Sequence, residues 1–355
     1  MGKIEKSHGC ADVMGEKMER EQLREILLTE EGYAQAMDEV VTPYLEKRMQ
    51  AAYCEREVGK KIYFVRALAD KPKGIVVMSH GYTETIEKHR ENIYYFLRGG
   101  YHVFMHEHCG HGRGYRLCSN GEDFSLVYVD DYIRYVEDLL FVCNMAAREF
   151  PQLPRYLYGH SMGGGIAAAA AAKAPGMFSG MILSSPMIRP SSAPLPWGLA
   201  SLIAGVFCLT GKGERYLPGH LPYDGRERFA DSAGLSEARF DYYQKKRKEE
   251  PLFQTNAGSY GWLWQAVRLY RFLMGRAWRD IACPVLVFQA EHENYVSNEA
   301  QERFVKKLNR HREGCAELVR VPGVKHEIFN SGIAVREEYW TRIFAFLIAN
   351  RSNLQ

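Results

Sequence analysis

The stretch from Arg155 to Pro175, RYLYGHSMGGGIAAAAAAKAP, decides the fold of this chain. Tyr156 to Tyr158 is short and apolar, as expected of a buried strand, and residues 166–174 contain nothing that resists a helix. Between them, Gly159 to Gly163 matches Gly-X-Ser-X-Gly, a turn that holds a nucleophilic serine between a strand and a helix. The stretch therefore predicts a reactive Ser161, next to a helix N-terminus that favours negative charge at a reacting carbonyl.

Length and composition indicate a large globular protein from a reducing compartment. The 355 residues can bury one large core together with an inserted segment. Lys and Arg (46) nearly balance Asp and Glu (43), so the charge indicates no basic surface for nucleic-acid binding. The eight cysteines are scattered without paired spacing, and the N-terminal residues 1–24 lack the apolar core of a signal peptide. We therefore expect a cytoplasmic protein.

One uncharged run, residues 191–211, has to be weighed as a membrane span. A spanning helix needs about 20 apolar residues. Pro194 and Pro196 break the first turns of the run and leave only residues 197–209 as a continuous apolar segment. We expect an apolar part of an inserted segment rather than a membrane span.

Short apolar strands alternate with helical segments on both sides of the serine turn. A hairpin across Gly59 precedes them, and the strands are predicted at 75–78, 102–106, 156–158, 180–183, 284–289 and 317–321. Helices are predicted at 17–28, with Leu23, Ile26 and Leu27 on one face, and at 90–98, 129–150, 299–308 and 337–348. Such alternation predicts an α/β fold, with a mostly parallel sheet flanked by helices. The pattern stops after Pro186 and resumes near residue 284. We expect three parts: a helical flank at 1–50, a core at 51–186 and 279–355, and an inserted helical cap at 187–278.

A reactive serine needs a base, and the base needs an acid to hold its tautomer. His326 is the candidate base, because its loop follows the last predicted strand at the carboxyl edge of the sheet, where sites form. The acid is expected after the strand at 284–289, where Glu291 and Glu293 are both candidates and no aspartate occurs. The residues alone leave these two glutamates as alternatives.

Two backbone N–H groups are predicted to hold the oxyanion, those of Met162 and Tyr82. Met162 follows the serine directly, and Tyr82 lies in the loop after the strand at 75–78. The run His106-Glu-His-Cys-Gly-His111 offers several metal-ligand types, but such close spacing rarely places four ligands tetrahedrally. We expect neither a metal nor a cofactor.

Five sequence blocks carry a resemblance that covers the chain from about Lys61 to its end. They are His80-Gly-Tyr-Thr-Glu84, Glu107-His-Cys-Gly-His-Gly112, Gly159-His-Ser-Met-Gly163, Gln289-Ala-Glu-His-Glu293 and Gly323-Val-Lys-His-Glu-Ile328. In these blocks the chain resembles the α/β-hydrolases of the bacterial lysophospholipase and monoacylglycerol lipase group, the serine aminopeptidase S33-type hydrolases. In the family's Gly-X-Asp-X-X-Val motif, Glu293 occupies the Asp position and Val296 the Val position, whereas Glu291 replaces the Gly. The resemblance thus implies Glu293 as the acid.

The resemblance implies a serine hydrolase that cleaves monoacyl lipid esters, such as lysophospholipids or monoacylglycerols, with Ser161, Glu293 and His326 as its triad. The cap is then a candidate for transient contact with a membrane surface. If residues 194–209 cover the acyl site, Leu202 and Phe207 are expected to contact the acyl chain. An aminopeptidase is the first alternative, and it requires acidic cap residues that hold a substrate ammonium. The second alternative is a non-catalytic member that binds a lipid or a partner. The spacing of Trp262, Ala266, Leu269 and Leu273 fits either core packing or the cover of an acyl pocket. Acyl length, headgroup and oligomeric state are not fixed by the sequence.

Overall fold

An eight-stranded sheet in the order β1-β2-β4-β3-β6-β7-β9-β10 organises the computed structural model, which describes residues 20–121 and 123–351. Its strands are β1 (Met49–Glu57), β2 (Lys60–Ala67), β3 (Gly74–Ser79), β4 (Tyr101–His106), β6 (Arg155–His160), β7 (Gly180–Ser184), β9 (Val285–His292) and β10 (Ala316–Lys325). A second sheet pairs β5 (Leu126–Val127) with β8 (Ala257–Gly258). β1 and β2 pair as an antiparallel hairpin and β2 runs antiparallel to β4, while the remaining neighbours in the large sheet are parallel.

Helices cover both faces of this sheet. Those with eight or more residues are α4 (Arg90–Arg98), α5 (Ile133–Glu149), α6 (Met162–Lys173), α7 (Trp197–Leu209), α8 (Glu237–Glu249), α9 (Tyr260–Phe272), α11 (Asn298–His311) and α12 (Ile333–Ala349). Shorter ones are α1 (20–26), α2 (Tyr33–Ala36), α3 (Thr42–Glu46) and α10 (Trp278–Asp280). One-turn helices occur at Ile86–His89, Phe229–Asp231, Pro251–Phe253 and Ile328–Asn330, and π-helical turns at Met37–Val41 and Leu273–Ala277.

The sheet separates two hydrophobic cores. One contains inward residues of α5, α6, α9 and α11, and the other contains residues of α1, α4 and α12. Every residue of β3, β4 and β7 is buried, which is typical of parallel strands covered on both faces. The predicted α/β class, with a mostly parallel sheet flanked by helices, is therefore confirmed.

The structure differs from the sequence expectations at several points. Residues 17–19 of the first predicted helix lie outside the described residues, and α1 ends at residue 26, two residues before the predicted end. Leu23, Ile26 and Leu27 are buried, as expected. The helix predicted from Val129 begins only at Ile133. The prediction of no strand between residues 187 and 278 was wrong, because β8 pairs with β5 through two residues, too few to show a sequence period.

The apolar segment at residues 197–209 forms α7. In the described part of the chain, none of the helices combines the length and the apolar character needed to cross a bilayer.

Candidate active site

Ser161 lies at the corner between β6 and α6, as the sequence predicts. Its φ of 51° and ψ of −119° are a sparsely populated backbone conformation for a residue with a side chain. The flanking glycines make this corner possible. A Cβ on Gly163 would lie 2.1 Å from the Ser79 carbonyl oxygen, and one on Gly159 would lie 2.6 Å from that of Gly163. Strand, turn and helix therefore approach too closely for any other residue at these two positions.

His326 lies in the loop after β10, with its ring held by a glutamate. Its Nδ1–H donates a hydrogen bond to Glu293 Oε2 over 2.7 Å, and both side chains are almost fully buried. The other oxygen of the carboxylate accepts the N–H groups of Tyr295 (2.8 Å) and Val296 (3.3 Å). The acid is thus fixed by its own loop, and the imidazole is left with Nε2 free to act as a base.

Glu291 takes a different position. β9 extends to His292, beyond the predicted end at 289, so Glu291 lies inside the strand while Glu293 lies just after it. The Glu291 side chain is 57% exposed and accepts the Gly323 N–H at 2.7 Å. Of the two glutamates that the sequence left open, Glu293 is the one hydrogen-bonded to His326.

Tyr82 and Met162 both adjoin the aromatic side chain of Trp262. The Trp262 ring lies 4.4 Å from the ring of Tyr82, and its Nε1–H donates to Met162 Sδ at 3.4 Å. Within the described residues, the backbone N–H groups of Tyr82 and Met162 donate to no other protein group. Thr83, next in the chain, has a φ of 61°, so this loop is also strained. The two N–H groups are therefore free to bind an oxyanion.

A cavity of about 930 Å³ opens above the serine, and Ser161 and His326 both line it. Part of its wall is apolar: Met187, Pro190, Pro194, Leu195, Leu217 and Leu263. Another part is charged: Glu87, Lys88, Arg226, Glu227, Arg228 and Asp231. The cavity can hold an amphipathic molecule with its carbonyl near Ser161.

Buried beside the cavity is a polar cluster that sequence analysis missed. Glu84 Oε2 accepts the Gly81 N–H (2.6 Å), His89 Nε2–H (2.8 Å) and His160 Nδ1–H (3.1 Å). Burial alone would raise the pKa of the Glu84 carboxyl, but His160, Lys88 and His89 outweigh it and hold that pKa well below the ordinary value. Glu84 is therefore a buried carboxylate, and the signal in the sequence was the block His80–Glu84, quoted above only for its resemblance.

The geometry of this cluster also fits a metal-ligand set. Ligand atoms of Glu84, His89 and His160 lie within 4.8 Å of one another, and among the described residues this set, not the run at 106–111, converges in that way. However, the carboxylate already binds the Gly81 N–H, and Lys88 Nζ lies 3.5 Å from it. Since an ammonium next to a bound cation is repulsive, hydrogen bonding accounts better for this arrangement.

A strained serine between a parallel strand and a helix, with a carboxylate-bound histidine after the last strand, defines an α/β-hydrolase. Residues 70–331 match the Hydrolase_4 family, described as serine aminopeptidase, S33, and the chain belongs to this family of α/β-hydrolase enzymes.

The chain is also similar to individual proteins. It is 28% identical over 269 residues to a monoacylglycerol lipase of Mycolicibacterium smegmatis, covering 76% of this chain and 86% of the relative. It is 28% identical over 301 residues to lysophospholipase L2 of Escherichia coli, covering 82% of this chain and 85% of the relative. Among solved structures, a soluble variant of the Saccharomyces cerevisiae monoglyceride lipase superposes with a TM-score of 0.68 at 19% identity. The superposition covers 86% of this chain and 96% of the lipase. This last likeness shows the fold.

Proposed function

We propose that this protein is a serine hydrolase that cleaves monoacyl lipid esters, lysophospholipids or monoacylglycerols, through Ser161, His326 and Glu293. The observation that carries the proposal is the 2.7 Å hydrogen bond between His326 and Glu293, in a histidine that lines the same cavity as the strained Ser161. A serine becomes nucleophilic when a base held in this way removes its proton.

The reaction proceeds in two halves. Ser161 Oγ attacks the acyl carbon while His326 Nε2 takes the serine proton, and the tetrahedral intermediate collapses when the imidazolium protonates the leaving alcohol. Water then gives its proton to His326 and attacks the acyl-serine, and the fatty acid leaves as His326 returns the proton to Ser161. Glu293 stabilises the imidazolium in both halves. The N–H groups of Tyr82 and Met162 bind the oxyanion, which in serine hydrolases contributes about 10²–10³ in rate for each donor.

The amphipathic wall of the cavity supports a lipid substrate. The apolar side accommodates an acyl chain, and the charged side a polar leaving group. The two long matches, to a monoacylglycerol lipase and to a lysophospholipase, agree with a monoacyl ester.

An aminopeptidase is less well supported. It needs a free carboxylate to hold the ammonium of its substrate. Three carboxylates of the cavity wall are each paired with an arginine: Glu87 with Arg90 (3.7 Å), Glu227 with Arg247 (2.8 Å) and Asp231 with Arg228 (2.7 Å). Their charge is already neutralised.

We assign residues 51–186 and 279–355 to a hydrolase core, residues 1–50 to a flank, and residues 187–278 to a cap over the cavity. The cap supplies Pro194, Leu195 and Leu263 to the cavity wall. The four side chains Trp262, Ala266, Leu269 and Leu273 belong to the hydrophobic core. Of these four, Trp262 also lines the cavity, so it alone fits both core packing and the cover of an acyl pocket.

The expectation that Leu202 and Phe207 contact the acyl chain was wrong. Leu202 is 64% exposed, and Phe207 stacks on Tyr260 at 3.9 Å; neither lines the cavity. The opposite face of α7 packs inward through small residues such as Ala204 and Gly205, which directs the larger side chains outward.

We assign the outer face of α7 to transient contact with a membrane surface. It exposes an apolar stripe at helical spacing: Leu199, Leu202, Val206 and Leu209. A stripe of this kind supports the assignment, because exposed apolar helix faces bind at lipid surfaces, where a lipid substrate resides. A reducing, cytoplasmic compartment fits the seven described cysteines, which are all unpaired.

The test is a substrate panel. Purified protein is assayed with 1-monoacylglycerols and lysophosphatidylcholines of several chain lengths, and with an aminoacyl arylamide. We expect turnover of the monoacyl esters that is lost in Ser161→Ala, and none of the arylamide. Turnover of the arylamide alone would replace the esterase with the peptidase, and no turnover with no labelling by a fluorophosphonate would favour a binding protein.

A further inference from the structure

The Gly81 peptide lies between two buried side chains. Its N–H donates to Glu84 Oε2 at 2.6 Å, and its carbonyl accepts His80 Nδ1–H at 2.8 Å. That carbonyl shares one planar peptide unit with the Tyr82 N–H, and in a trans peptide the two point in opposite directions. The His80 bond therefore sets the plane of the peptide that carries the Tyr82 N–H, and the Glu84 bond sets the plane of the preceding peptide. Together the two bonds fix the backbone rotation at Gly81, and with it the direction of the N–H proposed for the oxyanion.

Glycine is required for the approach of the carboxylate. A Cβ on Gly81 would lie 2.8 Å from Glu84 Oε2 and 3.0 Å from His160 Nδ1. The same carboxylate binds His160, the residue before Ser161, so the elbow and the loop at residues 80–84 share one anchor.

Lys88 extends this anchor to the loop of His326. Its Nζ lies 3.5 Å from Glu84 Oε1 and also contacts Glu327 Oε1, and Glu327 directly follows His326. Burial would lower the pKa of Lys88, but Glu327 and Glu84 raise it above the ordinary value, so the ammonium is charged. One chain of buried charges thus connects the loops that carry Tyr82, Ser161 and His326.

We propose that Glu84 is a positioning residue for the reaction at Ser161. Its carboxylate orients the Tyr82 N–H and, through Lys88 and Glu327, keeps this N–H at a fixed position relative to His326. The inference rests on the proposed acyl transfer at Ser161. A neutral amide at position 84 can still place its oxygen where Oε2 accepts from Gly81, His89 and His160, but as a weaker, uncharged acceptor. Its NH₂ group then faces Lys88, from which it cannot accept and to which it offers no charge.

Glu84→Gln is therefore expected to lower kcat for a soluble ester by about 10²-fold, the effect of one weakened oxyanion donor, with KM within about threefold. Inhibition by a trifluoromethyl ketone, whose adduct carries an oxyanion, should weaken by a similar factor. Glu84→Asp, which keeps the charge, should recover part of the loss. Unchanged kcat and ketone affinity in a folded Glu84→Gln protein would overturn the proposal.

The matched control is Asp138→Asn. Asp138 is an equally buried carboxylate, paired with Arg56 at 2.7 Å and with the Tyr115 hydroxyl at 2.7 Å, and it does not line the cavity. This variant should lose thermal stability but keep kcat and the ketone affinity. If it loses kcat as Glu84→Gln does, the effect is one of stability alone and the positioning role fails.

Two further arms complete the test. The losses in kcat/KM of Glu327→Gln and of Glu84→Gln should not add up in the double variant, and additive losses would remove Glu327 from the proposal.

Treatment of wild-type protein with a chelator, then with Zn²⁺, should leave kcat unchanged. A loss restored by zinc would replace the positioning role with a metal site. If the wild type cleaves no ester, the proposed function fails, but the rate of fluorophosphonate labelling of Ser161 still tests Glu84.

Discussion

Trp262 Nε1–H donates to Met162 Sδ at 3.4 Å, so a residue of the inserted segment is bonded directly to the residue after Ser161. The same indole lies 4.4 Å from the Tyr82 ring. Both residues proposed as oxyanion donors therefore pack against one side chain, and residues 187–278 contribute to the precision of the site as well as to its wall.

Replacement of this side chain should separate packing from bonding. Trp262→Ala removes a buried indole and is expected to lower the free energy of unfolding by about 3–5 kcal/mol. Trp262→Phe keeps an aromatic ring on Tyr82 and should cost far less, with kcat within about tenfold of wild type. Urea unfolding and turnover of one soluble ester measure both effects. Equal stability of the two variants would mean that an aromatic ring packed on Tyr82 does not stabilise the fold.

Ser161→Ala should abolish both fluorophosphonate labelling and ester turnover, because its Oγ is the proposed attacking oxygen. Ser185 is a suitable control, since it also has a positive φ (43°) and is fully buried. Ser185→Ala is expected to keep full labelling. Mass spectrometry of the labelled peptide identifies the serine, and labelling that persists in Ser161→Ala would move the nucleophile elsewhere.

Acidification should destabilise the protein through a cluster of buried histidines: His80, His106, His108 and His111. Burial lowers the pKa of His80 and of His106 from 6.5 to about 3, and it lowers those of His108 and His111 as well. Between pH 6.5 and 3 the unfolded chain therefore binds more protons than the folded one, and stability falls as the pH falls. Each histidine contributes about 1.4 kcal/mol per pH unit in this window.

His106 offers a direct check, because in the described structure neither of its ring nitrogens has a hydrogen-bond partner. His106→Phe should reduce the slope of unfolding free energy against pH between pH 7 and 5, without loss of stability at pH 7. Urea titrations at several pH values measure the slope. A slope equal to that of wild type would show that His106 does not titrate on unfolding.

The exposed stripe of α7 should govern activity on lipid surfaces rather than on dissolved substrates. Burial of one leucine side chain gains about 1.5–3 kcal/mol, so Leu202→Ser with Leu209→Ser should weaken binding to lipid vesicles by at least tenfold. Turnover of a short soluble ester should be unchanged, since neither residue lines the cavity. Vesicle co-sedimentation measures the binding, and turnover of a lipid ester and of a short soluble ester measures the activity. Equal loss of turnover on both substrates would point to misfolding of α7.

Features that depend on a local sequence pattern were predicted from the sequence. α4 occupies the predicted residues 90–98, and Ser161 lies at the predicted corner, because periodicity and turn chemistry fix both locally. The direction of Leu202 was not predictable, since α7 is apolar on all sides and its pattern selects no inner face. The Gly81–Glu84 bond is local, but the hydrogen bond from His160 to Glu84 was not predictable, because it joins segments that are far apart in sequence and meet only in the folded chain.

The sharpest prediction separates Glu293 from Glu291. Glu293→Gln keeps the shape of the acid but removes the carboxylate that accepts His326 Nδ1–H, and in a serine triad the equivalent change costs about 10⁴ in turnover. Glu291→Gln changes an exposed side chain whose amide oxygen can still accept the Gly323 N–H, so turnover should stay within about tenfold of wild type.

Both variants are measured with one soluble ester after circular dichroism shows matched folding. Their comparison is internally controlled, because the two glutamates lie two residues apart and undergo the same change. Glu293 is held by the N–H groups of Tyr295 and Val296, which its amide oxygen can also accept, so the loop itself should persist. The reverse ranking would assign the acid to Glu291, and two near-normal variants would mean that His326 works without a carboxylate from this loop.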